Sequence, residues 1–452
     1  MFSKVLVANR GEIALRVIRA CHDLGIAAVA VYSEADATSM HVAAADEAVC
    51  IGPPMSAESY LNIDAIIDAA KHSKVEAIHP GYGYLSEKAE FAQACEAANI
   101  VFIGPTPENL RLAGDKIAAK TIMQNAGVPV IPSSNGGVDS LEEAISFCEE
   151  IGYPVMVKAS GGGGGRGIRT CADAPQLAEE FAVAKMEARA AFGNDAVYIE
   201  KVIQNPRHIE FQVMADKLGH TVQLGERECT IQRRYQKLIE EAPSPFLTPE
   251  LRAAMGQAAV AAAQAVAYVN AGTIEFLVNP EGQFFFMEVN SRIQVEHPIT
   301  ELTTGIDLVR EQILVAGGAP LSFDENDIHK HGWAIECRIN AEDPDKNFFP
   351  SPGTIDDFEV PGGYGVRLDT HLYKGYELPI FYDSLVAKLV AYDRTRQGAV
   401  NVMKRALREF TIGPVKTTIP FHLTIMNDSD FIKGEFDTSF VERFLPEEEE
   451  DD

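Results

Sequence analysis

The first 113 residues alternate between short apolar runs and segments whose apolar residues recur at the spacing of an amphipathic helix. Strands are predicted at KVLVAN, IAAVAVYS, AIHPGYG and VFIG. Helices are predicted at the intervening segments EIALRVIRACHDLG, NIDAIIDAAKHS and AEFAQACEAAN. Strands that alternate with helices form βαβ units, so the pattern predicts a mainly parallel sheet covered by helices.

The pattern changes near residue 131, where strand-like segments become more frequent. A small α+β module is predicted from VPVIP, SLEEAISFCEEIG, YPVMVKAS, GIRTC, QLAEEFAVAKMEARAAFG and AVYIEKVI. It is followed by the strands HIEFQVMAD and TVQLGER, an alanine-rich helix near residues 249–270, and the hairpin GTIEFLV-NPEG-QFFFMEVN. A third region begins near residue 331 with AIECRINAED and ends with FTIGPVKTTIPFH. Because no repeat or low-complexity linker separates these regions, we expect them to pack together.

The composition narrows the class of protein. A chain of 452 residues with 46% hydrophobic content can form two or three domains. Its net charge of −27 argues against a nucleic-acid or anionic-membrane partner, although RECTIQRRYQK is locally basic. No apolar run reaches the roughly 18 residues that span a bilayer. The first residues, MFSKVLVANRGEIA, lack the pattern of a signal peptide.

The cysteines are widely spaced and odd in number, seven in all, with no C-x-x-C pair. This usage is typical of a reducing compartment and of neither a disulfide framework nor a zinc site. We therefore expect a cytoplasmic protein. The terminal EEEEDD is expected to be a solvated tail.

A run of five glycines in KASGGGGGRGIR directly follows the predicted strand PVMVK. Such a turn lets several backbone N–H groups converge on one point, which is how proteins hold phosphate oxygens. A flexible surface loop is the alternative interpretation. Strand alternation places Lys158 on the face opposite Val155 and Val157, where it can lie beside the loop as a cation for a phosphate. The spacing matches neither a Walker A motif nor a Rossmann fingerprint.

Two carboxylates meet across the predicted hairpin. Glu275 lies in TIEFLV, and Glu288 lies in FFFMEVN on the same side as Asn290. Their oxygen atoms form a set suited to Mg²⁺. Solvated charges on an exposed face are the alternative, but the surrounding Phe and Val residues predict burial, and buried carboxylates need a partner.

The following segment, RIQVEHP, places Arg292, Gln294 and Glu296 at alternate positions. If the segment is extended, these three side chains share one edge. Arginine can hold a small planar oxyanion through two parallel bonds, and glutamate can remove its proton. An ordinary surface ion pair between Arg292 and Glu296 is the alternative.

With these patterns assembled, the chain resembles the biotin carboxylase component of biotin-dependent carboxylases, within the ATP-grasp superfamily. The resemblance runs from KVLVANRGEIALRVIRA to FTIGPVKT, nearly the full length. The motifs that carry it are HPGYGYLSE, GDK, KASGGGGGRG, IQRRYQK, EEAPSP, MEVNSRIQVEHPITE, ECRINAED and YDSLVAKL.

The resemblance implies a multidomain fold of the α/β and α+β classes. It comprises a Rossmann-like N-terminal domain at 1–113, an ATP-grasp domain at 114–330, a C-terminal biotin carboxylase domain at 331–446 and an acidic tail at 447–452. A mobile lid at about residues 131–204 is expected to carry the glycines over the ATP phosphates.

Matching the family's motifs residue by residue implies an ATP site. Its expected residues are Lys116, Lys158, Gly164, Gly165, Glu200, Lys201, Ile203, His208, Gln232 and Tyr235. The expected phosphate ligands among these are Lys116, Lys158, Gly164 and Gly165. Residues 200–203 match the hinge that contacts adenine, and His208 and Gln232 line the nucleotide pocket. Tyr235 stands where many members have histidine, which leaves its contact with ribose or phosphate in question.

The remaining matches imply sites for a metal, bicarbonate and biotin. The Mg²⁺ or Mn²⁺ ligands are Glu275, Glu288 and Asn290. The bicarbonate pocket comprises Lys237, Arg292, Gln294, Val295 and Glu296, and the biotin site comprises Tyr82 and Arg338. Lys237, Arg292, Glu296 and Arg338 are the implied catalytic residues, with Glu296 as the base and Arg338 stabilising the biotin enolate.

The implied activity is carboxylation of biotin N1′ by ATP and bicarbonate through carboxyphosphate. Since the chain has no biotinyl-lysine motif, a biotinylated carrier protein and a carboxyltransferase are implied partners. Homodimer contacts are expected at Arg19, Arg367 and Tyr364, where phenylalanine is common. The final acceptor stays open among acetyl-CoA, pyruvate and propionyl-CoA. The alternatives are another ATP-grasp ligase acting on a small amine or nucleotide, and a nucleotide-sensing protein without catalysis.

Overall fold

The computed structural model describes residues 1–134, 136–159, 168–192 and 195–445. The strands in these ranges are β1 Lys4–Val7, β2 Ala27–Ser33, β3 Glu47–Gly52, β4 Ala77–His79, β5 Val101–Phe102, β6 Val155–Ala159, β7 Ile168–Cys171, β8 Val197–Lys201, β9 Arg207–Ala215, β10 Thr221–Arg233, β11 Gln236–Ala242, β12 Asn270–Val278, β13 Phe284–Asn290, β14 Trp333–Asn340, β15 Glu342–Asp343, β16 Phe349–Pro350, β17 Asp357–Glu359, β18 Val366–Thr370, β19 Leu385–Asp393 and β20 Thr411–Gly413. The α-helices are α1 Gly11–Asp23, α2 Met40–Ala44, α3 Ile63–His72, α4 Ala89–Ala97, α5 Pro107–Gly114, α6 Lys116–Asn125, α7 Leu141–Ile151, α8 Ala174–Phe192, α9 Pro249–Ala265, α10 His297–Thr304, α11 Leu308–Ala316, α12 Arg396–Glu409, α13 Ile419–Asn427 and α14 Ser429–Lys433.

The N-terminal region is built on a sheet with the strand order β3-β2-β1-β4-β5. Every pairing between its neighbours is parallel, which confirms the predicted parallel sheet. Val5, Leu6 and Val7 of the central strand are fully buried, because helices cover both faces. The sequence analysis does not include β3, an edge strand whose short apolar run at residues 48–51 is largely exposed.

A long antiparallel sheet, in the order β13-β12-β9-β10-β11-β14-β19-β18, crosses the rest of the molecule. Strand β14 pairs with β11 on one side and with β19 on the other. The sheet therefore continues from the predicted ATP-grasp region into the C-terminal region. The N-terminal region also contacts the central region, because α1 packs against α11 through a shared apolar core. These contacts agree with the expectation that the regions pack together.

The predicted lid forms a separate small module, in which β7, β6 and β8 make an antiparallel sheet and α7 and α8 pack beside it. Val155 and Val157 of β6 are fully buried, whereas Lys158 is partly exposed, so the predicted alternation of faces is confirmed. Gly164 and Gly165 lie outside the described residues. The proposal that the glycines close over phosphates therefore stays a prediction.

The prediction of a strand at VPVIP is wrong, because no continuous strand forms there. Val130 makes only an isolated parallel bridge with Phe286, and Ser133, just after the segment, makes an isolated antiparallel bridge with Glu200. Pro129 and Pro132 lack the N–H donors that a continuous ladder requires, which explains why the pairing does not extend.

The alanine-rich helix ends earlier than predicted, at Ala265 rather than near residue 270. Ala267 adopts a positive φ of 46° and Asn270 one of 75°, conformations that an α-helix cannot continue through. The start of the helix follows the expected rule: Thr248 accepts a hydrogen bond from the N–H of Leu251, and Pro249 occupies the first turn. Asn270 is already the first residue of β12.

Among the helices of the described ranges, none combines the length and the apolar character that crossing a bilayer requires. All seven cysteines are free thiols, and Cys50 alone among them is exposed.

Candidate active site

The hairpin of β12 and β13 brings the predicted metal ligands together. Glu275 and Glu288 are direct cross-strand partners, and Asn290 lies opposite Thr273. The Glu288 side chain is about one-third exposed, and its carboxylate lies 3.3 Å from Nζ of Lys116. The hairpin thus presents the oxygen donors that Mg²⁺ prefers, with Glu288 at the accessible end, and these residues fit a magnesium ion.

Glu275 is buried and already compensated by cations. Its carboxylate lies 2.9 Å from Nε2 of His208 and 2.9 Å from Nζ of Lys237. Burial opposes the charge of Glu275, but Lys237 and then His208 outweigh it and hold its pKa well below the usual range. Glu275 is therefore ionised at neutral pH, and its role as a metal ligand stays a prediction.

Lys237 stands at the centre of three carboxylates. Its Nζ lies 2.6 Å from Glu210, 2.9 Å from Glu275 and 2.8 Å from Glu296. These carboxylates come from β9, from β12 and from the residue just before α10. One ammonium group thus holds together three segments that are distant in the chain.

Arg227 is a second organising cation, and the sequence analysis missed it. Its guanidinium is fully buried and donates to Glu210 at 2.6 Å and to Gln212 at 2.7 Å. It also donates to the hydroxyls of Thr273 and Thr300. The RECTIQRRYQK segment looks basic in sequence, but this arginine points into the protein and is neutralised there.

The segment after β13 is not extended as predicted. Residues 295–296 form a turn, and Glu296 is the residue that precedes α10. Pro298 in the first turn of that helix favours the helix start at this point. Arg292 nevertheless donates to Gln294 at 2.7 Å, so two of the predicted side chains do lie together.

The alternative interpretation, a surface ion pair between Arg292 and Glu296, is wrong. Arg292 contacts Glu87 at 3.1 Å and donates to Asn290 at 3.0 Å. Glu296 is fully buried and pairs with Lys237 and, at 2.9 Å, with Arg338. The base candidate thus lies between two cations in the interior.

Burial opposes the charge of Glu296, yet Lys237 lowers its pKa below the usual range, and Arg338 adds to this effect. At neutral pH the carboxylate is ionised, which is the state that a proton acceptor needs.

The predicted biotin residues, Tyr82 and Arg338, are linked through two further side chains. The hydroxyl of Tyr82 donates to Glu12, and Lys388 pairs with the same carboxylate at 3.1 Å. Lys388 also donates to the carbonyl of Val295 at 3.1 Å and lies opposite Arg338 in the β14–β19 register. Tyr82 therefore connects to the Arg338 strand through Glu12 and Lys388.

On the nucleotide side, Glu200 pairs with both Lys158 and Lys120. Burial opposes its charge, but Lys158 and then Lys120 lower its pKa. The side chain of Lys201 donates to the carbonyls of Gly152 and Tyr153 inside the lid. The side chains of residues 200 and 201 are thus engaged within the protein.

The other predicted nucleotide residues occupy different surroundings. Gln232 lies opposite Lys237 in the β10–β11 register. Ile203 is partly exposed just after β8. Tyr235 lies in the turn between β10 and β11 with a positive φ and is 76% exposed. The structure therefore does not bring it together with the other predicted nucleotide residues.

The predicted dimer residues include two exposed side chains, Arg19 and Tyr364. Arg367 instead forms ion pairs with Glu301 at 2.7 Å and with Asp369 at 2.8 Å. Their place in a dimer stays a prediction.

A sheet lined with lysines and carboxylates beside a separate lid module defines an enzyme of the ATP-grasp class. The chain matches three families in succession: "Biotin carboxylase, N-terminal domain" at 1–110, "Carbamoyl-phosphate synthase L chain, ATP binding domain" at 115–323 and "Biotin carboxylase C-terminal domain" at 336–443.

Full-length relatives narrow the class. Biotin carboxylase 1 of Bacillus subtilis is 54% identical, over 98% of this chain and 99% of the relative. A pyruvate carboxylase component of Methanothermobacter thermautotrophicus is also 54% identical, over 98% of this chain and 90% of the relative. The chain belongs to the biotin carboxylase family.

Solved structures agree with this assignment. The biotin carboxylase domain dimer of Hydrogenobacter thermophilus 2-oxoglutarate carboxylase, in complex with MgADP, ADP and bicarbonate, is 51% identical with a TM-score of 0.91, over 98% of each chain. Biotin carboxylase of Campylobacter jejuni, in a β,γ-ATP complex, is 47% identical with a TM-score of 0.93, over 98% of this chain and 99% of that one.

Proposed function

We propose that this protein carboxylates N1′ of biotin on a carrier protein, using ATP and bicarbonate. The observation that carries the proposal is the position of Glu296, a buried carboxylate held between Lys237 and Arg338. A base between two cations suits a small anion that must lose a proton, because the cations attract the anion and stabilise the charge that develops. Relatives with full-length similarity carry the name biotin carboxylase.

The first step joins bicarbonate to phosphate. Glu296 accepts the proton of bicarbonate, whose oxygen attacks the γ-phosphorus of ATP, and the bond to the β-phosphate oxygen breaks to leave ADP. The product is carboxyphosphate. Arg292 and Gln294, which already lie 2.7 Å apart, orient bicarbonate, and the carbonyl of Val295 is fixed by Lys388 beside them.

Charge neutralisation supplies most of the assistance that this phosphoryl transfer needs. Lys116, Lys158 and Lys237 are the cations of this chain that reach the phosphates in our proposal. A magnesium ion bound by Glu275, Glu288 and Asn290 supplies further positive charge to the phosphate oxygens. Lys158 is paired with Glu200 and Lys116 with Glu288. When the nucleotide binds, each lysine must either leave its glutamate or contact the glutamate and a phosphate together.

The second step transfers carbon to biotin. Carboxyphosphate releases CO₂, and the phosphate that remains takes the proton from biotin N1′. Arg338 stabilises the enolate oxygen, and N1′ then forms the new bond to CO₂. Water must be kept away because it hydrolyses carboxyphosphate. We propose that closure of the lid excludes water from the site.

The holoenzyme requires further components in this proposal. The relatives include proteins or domains named for carboxylases of pyruvate and of 2-oxoglutarate, which differ in their final acceptor. We therefore assign to this chain the half-reaction that such enzymes share, with a biotinylated carrier and a separate carboxyltransferase as partners. A homodimer is proposed on the example of the Hydrogenobacter domain. The free thiols favour a reducing compartment, the cytoplasm.

The decisive experiment measures ADP release by the purified protein with MgATP. We expect release to depend on bicarbonate and to rise when free biotin is added, with carboxybiotin as the product. No bicarbonate-dependent release would contradict the proposal. Release that biotin leaves unchanged, without carboxybiotin, would instead favour another ATP-grasp ligase.

A further inference from the structure

Glu240 and Glu336 are two carboxyl groups that face each other inside the long sheet. They are direct cross-strand partners on β11 and β14, and both are fully buried. One oxygen of Glu240 accepts a hydrogen bond from Nε of Arg338 at 2.6 Å. Its other oxygen and both oxygens of Glu336 accept no hydrogen bond from any described residue.

Two buried carboxylates this close together cannot both carry a charge without a large cost. Burial raises the pKa of Glu240 to about 7 and that of Glu336 well above its usual range. The cation at Glu240 decides which group is ionised, so Glu336 carries the proton. The other charged or titratable groups near the pair, among the described residues, are Lys237, Glu296, Lys388, Tyr82, Cys229 and Cys337.

Arg338 is held at two points by two different carboxylates. Its Nε donates to Glu240 at 2.6 Å, and its Nη2 donates to Glu296 at 2.9 Å. The backbone carbonyl of Arg338 accepts hydrogen bonds from Thr418 and His422. The side chain is still 18% exposed, so a ligand can approach the guanidinium.

The two carboxylates differ in the proposed reaction. Glu296 receives the proton of bicarbonate, so the O–H bond of bicarbonate breaks and a new O–H bond forms on Glu296. Its attraction for Nη2 then falls, because the ion pair between guanidinium and carboxylate becomes a hydrogen bond from the guanidinium to a neutral acid. Glu240 takes part in no such transfer, so its hydrogen bond with Nε of Arg338 stays in place.

We propose that Glu240 is a positioning residue that anchors Arg338 at Nε, while protonation of Glu296 releases Nη2 for the oxygen of the biotin ring. This inference rests on the proposed function. It links the two half-steps: Arg338 becomes available to the enolate only after bicarbonate has lost its proton. The proton stays on Glu296 through the biotin step and passes to solvent when the products leave.

The test compares Glu240→Gln with the matched variant Glu336→Gln on the opposite strand. We expect Glu240→Gln to lower the kcat for biotin carboxylation by about 10- to 100-fold and to raise the KM for biotin, because the neutral amide holds the guanidinium more weakly than a carboxylate does. Bicarbonate-dependent ADP release without biotin should change by less than about threefold. Glu336→Gln replaces a neutral group by a neutral group of the same shape, and both activities should stay near wild type.

A double variant shows whether Glu240 acts through Arg338. Glu240→Gln added to Arg338→Gln should cause no further loss of biotin carboxylation, whereas a general structural defect would add its own loss. Should Glu240→Gln fold poorly in a thermal melt, Glu240→Asp, which keeps the charge but withdraws the carboxylate, is expected to show the same selective loss.

The outcomes separate this inference from the proposed function. A wild-type protein without bicarbonate-dependent ADP release defeats the function itself. If the wild type is active but Glu240→Gln or Glu240→Asp carboxylates biotin normally, the positioning role of Glu240 is wrong and the proposed function still stands. Equal loss of both activities, or an additive double variant, also overturns it.

Discussion

A carboxylate oxygen of Glu296 accepts a hydrogen bond from Nη2 of Arg338 at 2.9 Å, although 42 positions separate the two residues in the sequence. The pair joins the proposed bicarbonate base to the proposed biotin residue. Burial opposes the charge of Arg338, but Glu240 and then Glu296 raise its pKa, so the guanidinium stays charged. Changing Arg338 should separate the two half-steps of the reaction, whereas changing Glu296 should remove both.

Arg338→Gln should lower biotin carboxylation by orders of magnitude, because the enolate loses its cation, whereas bicarbonate-dependent ADP release should remain measurable. Both rates are obtained from ADP release and carboxybiotin formation in the same preparation. Arg394→Gln, a change at an exposed arginine, is the control and should alter neither rate. Equal loss of the two activities in Arg338→Gln would contradict its assigned role.

Glu296→Gln should abolish both activities together, since the amide cannot accept the proton of bicarbonate. The expected loss is about 100-fold or more, the usual contribution of a general base. Nucleotide binding, followed by a fluorescent ATP analogue, should persist because Glu296 is not itself among the proposed nucleotide ligands and the substitution leaves Lys237 and Arg338 in place. A variant that still releases ADP in response to bicarbonate would rule out Glu296 as the base.

Glu288→Gln should raise the Mg²⁺ concentration that gives half-maximal ADP release by about tenfold, since one carboxylate of the hairpin loses its charge. Excess Mg²⁺ should restore most of the rate. Glu281→Gln, an exposed change in the turn of the same hairpin, serves as the control. If the two variants respond to Mg²⁺ alike, the predicted ligand set is wrong.

Arg227→Met should lower the free energy of unfolding by about 3 kcal/mol or more, because it leaves a buried carboxylate with less compensation. The quantity to compare is the urea concentration at the unfolding midpoint. Arg394→Met should stay within about 0.5 kcal/mol of wild type, as substitutions at exposed positions usually do. A fully stable Arg227→Met protein would show that Lys237 alone satisfies Glu210.

His79 should make stability depend on pH. The ring accepts a hydrogen bond from the N–H of Gly81 at 3.0 Å and contacts Gln312 at 3.2 Å, and burial lowers its pKa to about 3. Between an unfolded-state pKa of about 6.5 and this value, only the unfolded chain binds the proton. The free energy of unfolding should therefore fall as pH falls, by about 1.4 kcal/mol per pH unit for this group.

Removing the histidine tests this dependence directly. His79→Gln should flatten the curve of unfolding free energy against pH between pH 6 and 4, measured with urea. His72→Gln, at an exposed position near the end of α3, should leave the slope unchanged. An unaltered slope in His79→Gln would mean that the other buried histidines dominate.

The sequence predicts well those features that depend on neighbouring residues. The parallel N-terminal sheet, the pairing of Glu275 with Glu288 and the face of Lys158 all follow from local periodicity. The shared edge expected for Arg292, Gln294 and Glu296 in an extended segment fails for a local reason as well, since the helix that begins at His297 draws Val295 and Glu296 into a turn.

The contacts of Lys237 could not be predicted in the same way. Glu210 and Glu275 lie on other strands, and their approach depends on the register of long-range pairings that no short pattern encodes. The same reason hides Arg227 and Glu240, whose partners come from β9 and β14. In sequence these residues look like solvated surface charges.

The uninterrupted pairing of β11 with β14 limits how the gene can be divided. The second and third family matches end and begin at residues 323 and 336, which invites expression of the two halves as separate proteins. Such a cut would expose unpaired backbone groups along both strands, and open edges of that kind promote aggregation. The halves should be recovered together or not at all.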